Sequence, residues 1–217
     1  GHTGLTALLG SPVAHSISPL MHNEAFRLLE LDYVYLCFDV NEETLPAAVA
    51  GLRTCGIRGF NLTMPNKNKI VELLDELSPE AQLIGAVNTV LNDNGKLIGY
   101  NTDGYGFMQS VRDAGHDVTN KNITVMGVGG ASMAICAQSA LDGASSVHIF
   151  ARRTSRYWNR TQKFAENLTA KTGCQVCLFD NDDHTALKDS IAQSYLLINA
   201  TSVGMVPDID DTIIKDT

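Results

Sequence analysis

Three polar segments hold the side chains best suited to chemistry on a small hydroxylated molecule. Asn61-Leu62-Thr63-Met64-Pro65-Asn66-Lys67 offers amides, a hydroxyl and an ammonium group. Gly85-Ala86-Val87-Asn88-Thr89 adds an amide and a hydroxyl, and Asn101-Thr102-Asp103 adds a carboxylate. Each lies where a strand pattern runs into a loop, the usual place for binding groups on a rigid scaffold. A lysine beside a carboxylate can guide a proton from a hydroxyl while hydride leaves the same carbon. A lysine base needs a lowered pKa, as burial provides, whereas a neighbouring ionised aspartate raises it. Lys67 and Asp103 therefore leave open which one takes the proton. They also permit a plainer reading, a solvated lysine and a helix-capping aspartate. Ser16-Ile17-Ser18 precedes a helix, so two hydroxyls and a helix amino end could hold a carboxylate; the competing reading is a simple cap at Ser18.

The elements that must position these groups alternate between strand and helix. Leu5 to Leu9 predicts a short strand. Ser18-Pro19 predicts a helix start, with Met21, Ala25, Leu28 and Leu29 as its inner face. The apolar run Tyr33 to Phe38 predicts a strand covered on both faces. Asn41 is expected to cap a helix with inner residues Leu45, Ala48, Val49 and Leu52, ending at Gly56. A strand over Ile57 to Thr63 and a helix over Lys69 to Leu77 come next. Asn92-Asp93-Asn94-Gly95, between Ala86–Leu91 and Leu97–Tyr100, predicts a hairpin, and so a mixed sheet.

After a helix from about Gly104 to Ala114, a fresh run of βα units begins. Its expected strands are Ile123–Val128, Val147–Phe150, Val176–Phe179 and Leu196–Asn199. The expected fold class is α/β with two domains, residues 1–104 and 105–217, and a cleft between them. The first strand of the second domain leads into Gly127-Val128-Gly129-Gly130-Ala131-Ser132. Such a glycine-rich turn lets backbone amides approach a pyrophosphate at a helix amino end, and Ser132 is small enough to replace the third glycine. After the next strand, Arg152-Arg153-Thr154-Ser155-Arg156 stands where an NAD site usually carries an acid. Guanidinium groups there suit the 2′-phosphate of NADP; a solvated basic helix start is the alternative. A nucleotide site beside Lys67 and Asp103 points to hydride transfer.

Composition narrows the partners. The chain has 217 residues and a net charge of −8, which argues against nucleic acid or an anionic membrane as partner. No apolar run approaches the roughly 20 residues that cross a bilayer, and no secretory signal is visible. The expectation is a soluble cytoplasmic protein. The five cysteines include Cys174-Gln175-Val176-Cys177, but no second pair or histidine pair completes a metal site. No metal is expected.

Taken in order, these segments resemble the shikimate dehydrogenase family, including its quinate/shikimate branch. Its S-x-S is Ser16 to Ser18, its N-x-T-x-P-x-K is Asn61 to Lys67 and its G-A-x-N-T is Gly85 to Thr89. Its G-x-N-T-D-x-x-G is Gly99 to Gly106, its G-x-G-G-A is Gly127 to Ala131 and its N-x-T-x-x-G-M is Asn199 to Met205. The resemblance implies reversible, NADP-dependent oxidation of shikimate to 3-dehydroshikimate in aromatic amino-acid biosynthesis, by a monomer or homodimer. It implies that Ser16 and Ser18 bind the substrate carboxylate and that Asn61, Thr63, Asn88 and Asp103 bind its hydroxyls. Lys67 and Asp103 become the catalytic pair, and Lys67 also touches substrate. Gly127, Gly129, Gly130, Ala131, Arg152, Arg153, Thr201 and Val203 become the cofactor contacts. Met64 to Lys67 looks closest to the quinate/shikimate branch, which accepts quinate and uses NAD as well. That branch's acid after the arginines is replaced by Thr154, which favours NADP.

Family members continue with another strand, a carboxy-terminal helix returning to the substrate domain, and a late tyrosine and glutamine on the substrate. None of these has a counterpart before Thr217. The nucleotide domain is expected to be incomplete at its carboxyl end, and a polypeptide ending there to be impaired. A non-catalytic nucleotide-sensing regulatory domain is the rival from another class, but it has no need of Lys67 with Asp103. A dehydrogenase for another small hydroxy acid fits the second domain alone, whereas Ser16, Ser18 and Asn88 favour the cyclic substrate.

Overall fold

A computed structural model describes residues 1–214; the expected domain end at Thr217 lies outside them. The chain divides into two compact units, one over Gly1–Thr102 and one from Asp103 onward. Among the described residues of the first unit, strands β1 (Gly4–Gly10), β2 (Tyr33–Asp39), β3 (Gly59–Leu62), β4 (Glu76–Leu77), β5 (Thr89–Asp93) and β6 (Lys96–Tyr100) form one sheet, ordered β2-β1-β3-β5-β6-β4. The expected hairpin is present: Asn94 and Gly95 take φ of 51° and 93°, which suits an Asn-Gly turn. Strand β5 runs antiparallel to β6 across this turn and also to β3, so the sheet is mixed.

The period of two along β1 divides the core. Ala7 and Leu9 enter a large cluster with Leu45, Val49, Phe60, Leu62, Ile70, Val87 and Leu97, beneath helix α2 (Leu45–Thr54). Leu8 faces the other side with Val13 and Tyr35, beside helix α1 (Ser18–Leu28). Asn61 pairs with Leu8 and with Thr89, so the α1 side of the sheet carries polar groups in its middle.

Several expected elements differ. In α1, Ser18 is the first helical residue rather than the cap, and its backbone N–H donates to Ser16 Oγ at 3.2 Å. The inner face is His22, Asn23, Phe26 and the expected Ala25, all half-buried, while Met21, Leu28 and Leu29 are exposed. The reason is a clamp: Asn23 Oδ1 accepts the Tyr35 N–H at 2.8 Å, and Asn23 Nδ2 donates to the Tyr35 carbonyl at 3.0 Å. Strand β2 lies at the sheet edge, where Asn23 satisfies backbone groups that an edge leaves open, and it is not covered on both faces, since Leu36 is 43% exposed.

Asn41 does not cap α2 directly. Its Oδ1 accepts the N–H groups of Glu43 and Thr44, forming a turn before the helix, and Gly56 at φ 70° lies just past its end. The helix expected over Lys69 to Leu77 is a 3₁₀ turn, Lys69–Leu73, followed by β4. Asp75 pulls the chain to the sheet. Its Oδ2 accepts the Leu97 N–H and an Arg53 guanidinium N–H, each at 2.7 Å, and its own N–H donates to the Leu97 carbonyl. Helix α3 (Pro79–Ile84), capped by Ser78, then leads back to β5.

The second unit contains α4 (Asp103–Asp113), β7 (Asn122–Met126), α5 (Gly130–Leu141), β8 (Ser146–Ala151), α6 (Trp158–Thr172), β9 (Gln175–Asp180), α7 (His184–Gln193) and β10 (Leu196–Asn199). Its strands are all parallel and ordered β10-β7-β8-β9. The chain reverses its direction of winding at β7, the point where such sheets leave a crevice beyond the carboxyl ends of the strands. Cys174 is buried at the head of β9, where burial and the nearby Cys177 push its thiol up to about 11. A thiol so far from ionised is a packing group rather than a nucleophile.

Candidate active site

In the first unit, the loops after β1 and β3 are held together. The Thr63 N–H donates to the Leu9 carbonyl, and the Ser11 N–H to the Met64 carbonyl, each at 3.0 Å. Gly10 allows this approach, since a Cβ there would lie 2.2 Å from Thr63 Cγ2. With the start of α1 these loops line a cleft of about 380 Å³ that includes Ser11, His15, Ser16, Ser18, Thr63 and Met64. Ser16, Ser18 and Thr63, far apart in sequence, thus share one cavity. His15 is a lining residue that the motifs did not single out.

Lys67 sits on a loop fixed from both sides. Asn66, wholly buried, donates through Nδ2 to the Val40 carbonyl at 2.7 Å, and its N–H donates to the Thr63 carbonyl. The Val87 N–H donates to the Lys67 carbonyl at 2.8 Å, and Asn68 Nδ2 donates to the Gly85 carbonyl at 2.7 Å. The two polar motifs are therefore stitched together by backbone groups, with half-buried Lys67 between the stitches.

Asn61 and Asn88 belong to one hydrogen-bond chain. Asn61 Nδ2 donates to the Asn88 carbonyl at 3.2 Å and to Thr89 Oγ1 at 3.0 Å. Thr89 Oγ1 donates to Asn88 Oδ1, which also accepts the Thr102 N–H, both at 3.0 Å. Asn88 Nδ2 donates to Thr102 Oγ1 at 3.0 Å. Asn61 Oδ1 accepts from the Tyr35 hydroxyl at 2.8 Å, a partner the sequence motifs did not reveal. Within the apolar run Tyr33 to Phe38, no spacing signal set Tyr35 apart.

Asp103 opens the second unit as the first residue of α4, where a carboxylate is favoured by the helix dipole. One residue on, Gly104 packs so closely on α5 that a Cβ would meet the Ala134 carbonyl oxygen at 2.2 Å.

The glycine-rich turn lies where β7 passes into α5. Gly127 has φ of 111°, and a Cβ there would lie 2.9 Å from both the Ala200 carbonyl oxygen and Thr201 Cγ2. A side chain is excluded by conformation and by space alike. Gly129 and Gly130 instead leave open space where a Cβ would stand, and among the described residues no side chain caps the start of α5. Amides at that helix end are thus available to a phosphate group. Ser132, the buried substitute for the third glycine, donates to the Gly127 carbonyl at 2.6 Å. Ala131 is exposed at the rim of the turn. Thr201 and Val203 lie in a turn after β10 in which Asn199 Oδ1 accepts the Thr201 N–H and hydroxyl, and Asn199 Nδ2 donates to the Val203 carbonyl. Since β10 pairs with β7, this turn borders the glycine-rich one.

Arg152 and Arg153 come after β8, on the other side of β7, and both are exposed. The Arg153 guanidinium lies 4.6 Å over the ring of Trp158, which restrains it without neutralising it. The carboxyl ends of β10, β7 and β8 therefore bring together Thr201, Val203, the glycines and the arginines.

Comparison with known proteins places this architecture. Residues 8–90 match the family model described as shikimate dehydrogenase substrate binding domain. A shikimate dehydrogenase (NADP(+)) of Listeria innocua is 49% identical over 214 residues, covering 99% of this chain and 73% of that protein. One of Streptococcus pyogenes is 50% identical over 218 residues, covering 100% of this chain and 74% of its own. The crystal structure of shikimate 5-dehydrogenase from Listeria monocytogenes, in complex with shikimate and NAD, superposes with a TM-score of 0.96 at 48% identity, covering 100% of this chain and 74% of that one. The chain belongs to the shikimate dehydrogenase family.

Proposed function

We propose that this protein is an NADP-dependent shikimate dehydrogenase, a soluble cytoplasmic enzyme that oxidises shikimate reversibly to 3-dehydroshikimate. The observation that carries the reading is the stitched pair of loops in the first unit, which fixes Lys67 beside the chain of Asn61, Thr89 and Asn88. The first unit, together with Asp103 directly after it in the chain, binds the substrate. Ser16 and Ser18, at the cleft beside α1, take the carboxylate; Asn61, Thr63, Asn88 and Asp103 take the ring hydroxyls. The second unit binds the cofactor: Gly127, Gly129, Gly130 and Ala131 admit the pyrophosphate to the start of α5. Arg152 and Arg153 hold the 2′-phosphate, and Thr201 and Val203 flank the nucleotide. Bound NADP supplies the acceptor for the hydride. As the carbinol C–H bond breaks and the carbonyl forms, the hydroxyl proton passes to the pair formed by Lys67 and Asp103.

The direct test monitors reduced-cofactor absorbance with shikimate or quinate, each with NADP or NAD. Turnover of shikimate with NADP is expected, and its absence in every combination would refute the assignment. Replacing Arg152 and Arg153 together by alanine is expected to raise the KM for NADP by roughly 10- to 100-fold, because charge-assisted bonds to the 2′-phosphate are lost. The KM for NAD, which lacks that phosphate, should move far less. Equal rises for both cofactors would place the arginines elsewhere on the nucleotide.

A further inference from the structure

Tyr35 lies on β2, two strands from Asn61, and its side chain passes over Leu8 of β1 to reach it. Three features fix this ring. Asn23 clamps its backbone N–H and carbonyl, His22 stacks on its face at 4.2 Å with 13° between planes, and the residue is only 2% exposed. Its hydroxyl donates to Asn61 Oδ1.

This bond limits which atoms Asn61 can show to a ligand. Both Asn61 Nδ2 hydrogens are engaged, one by the Asn88 carbonyl and one by Thr89 Oγ1. Oδ1 already takes the Tyr35 hydroxyl, so the carboxamide retains acceptor capacity but no donor. Thr89, receiving a hydrogen from Asn61, turns its own toward Asn88 Oδ1, and Asn88 turns Nδ2 outward to Thr102 Oγ1. Side-chain donors thus pass from Tyr35 through Asn61 and Thr89 to Asn88, whose Oδ1 also accepts from the N–H and hydroxyl of Thr102 while its Nδ2 donates to Thr102 Oγ1. Bonds in such a chain polarise and orient one another.

We propose that Tyr35 is a positioning residue for substrate recognition, whose hydroxyl sets the orientation of Asn61 and, through Thr89, of Asn88, so that Asn61 meets a ring hydroxyl as acceptor. The assignment rests on the proposed function, in which both asparagines bind shikimate. Burial holds the Tyr35 hydroxyl well above its ordinary pKa, so it remains a donor throughout the neutral range.

Tyr35→Phe removes the hydroxyl and keeps the ring, its stack and its backbone clamp. The KM for shikimate is expected to rise roughly tenfold, the effect of one buried hydrogen bond on binding, while the KM for NADP stays within about twofold. Made in an Asn61→Ala background, the same change should add less than about twofold, since the group through which Tyr35 acts is gone. A purely structural tyrosine would lower thermal stability in both backgrounds and leave the KM for shikimate unmoved, which would overturn the proposal. An equal rise in KM with and without Asn61 would overturn it as well. Wild-type protein that neither binds nor turns over shikimate would overturn the proposed function and this assignment together, and that result is read before any variant is made.

Discussion

Replacing Lys67 by alanine is expected to lower kcat by roughly 10³-fold, the scale of a lost general acid–base group. The KM for shikimate should stay within about threefold, because the hydroxyl contacts are made by other side chains. The loop itself should survive. Its shape is set by the buried Asn66 amide on the Val40 carbonyl, and by bonds from Asn66 to Thr63, Val87 to Lys67 and Asn68 to Gly85. None of these uses the Lys67 ammonium. Thermal stability should therefore be unchanged, which separates a chemical loss from a folding loss. Lys67→Arg should not restore the rate, since a guanidinium holds its proton too tightly to act as a base. A variant whose KM rises while kcat holds would make Lys67 a binding group and leave the proton to Asp103.

Legibility in the sequence divides physically between local and non-local causes. The Asn94-Gly95 hairpin, the Gly127 turn and the βα units of the second unit were legible because each is dictated by backbone conformation or period within a few residues. The loop position of the Asn61 to Lys67 segment was legible for the same reason, being one strand end and the turn after it. The failures have distant causes. Apolar spacing placed Met21, Leu28 and Leu29 inward, yet the roll of α1 is fixed by Asn23 on the Tyr35 backbone, a side-chain-to-backbone clamp that no helical period records. An apolar pattern predicted β2 covered on both faces, but Leu36 is 43% exposed, and a strand's own residues do not state what packs over it or that it lies at an edge. Residues Lys69 to Leu77 have helical composition, and Asp75 overrides it by bonding to Leu97, across more than twenty residues. Tyr35 escaped notice for the same reason: its link to Asn61 spans 26 positions and crosses an intervening strand.

Gly104→Ala should damage both stability and turnover, although the residue bears no side chain and touches no reacting atom. The added Cβ would stand 2.2 Å from the Ala134 carbonyl oxygen and 2.9 Å from Gln138 Cβ, both on α5. Backbone cannot rotate out of the way as a flexible side chain can, so α4 must shift from α5. Overpacking of this kind costs about 1–3 kcal/mol. The shift falls on Asp103, the adjacent first residue of α4, and α5 is the helix that opens on the glycine-rich turn. A displacement near 1 Å of a reacting group can cost about 10²-fold in rate, so kcat should fall by at least tenfold. Gly106→Ala is the internal control. It lies on the same helix with open space at its Cβ position, so alanine there should stabilise α4 by up to about 1 kcal/mol and spare kcat. If Gly104→Ala lost stability but kept the wild-type kcat, the α4–α5 contact would be packing alone, and Asp103 would owe its position to something other than the glycine beside it.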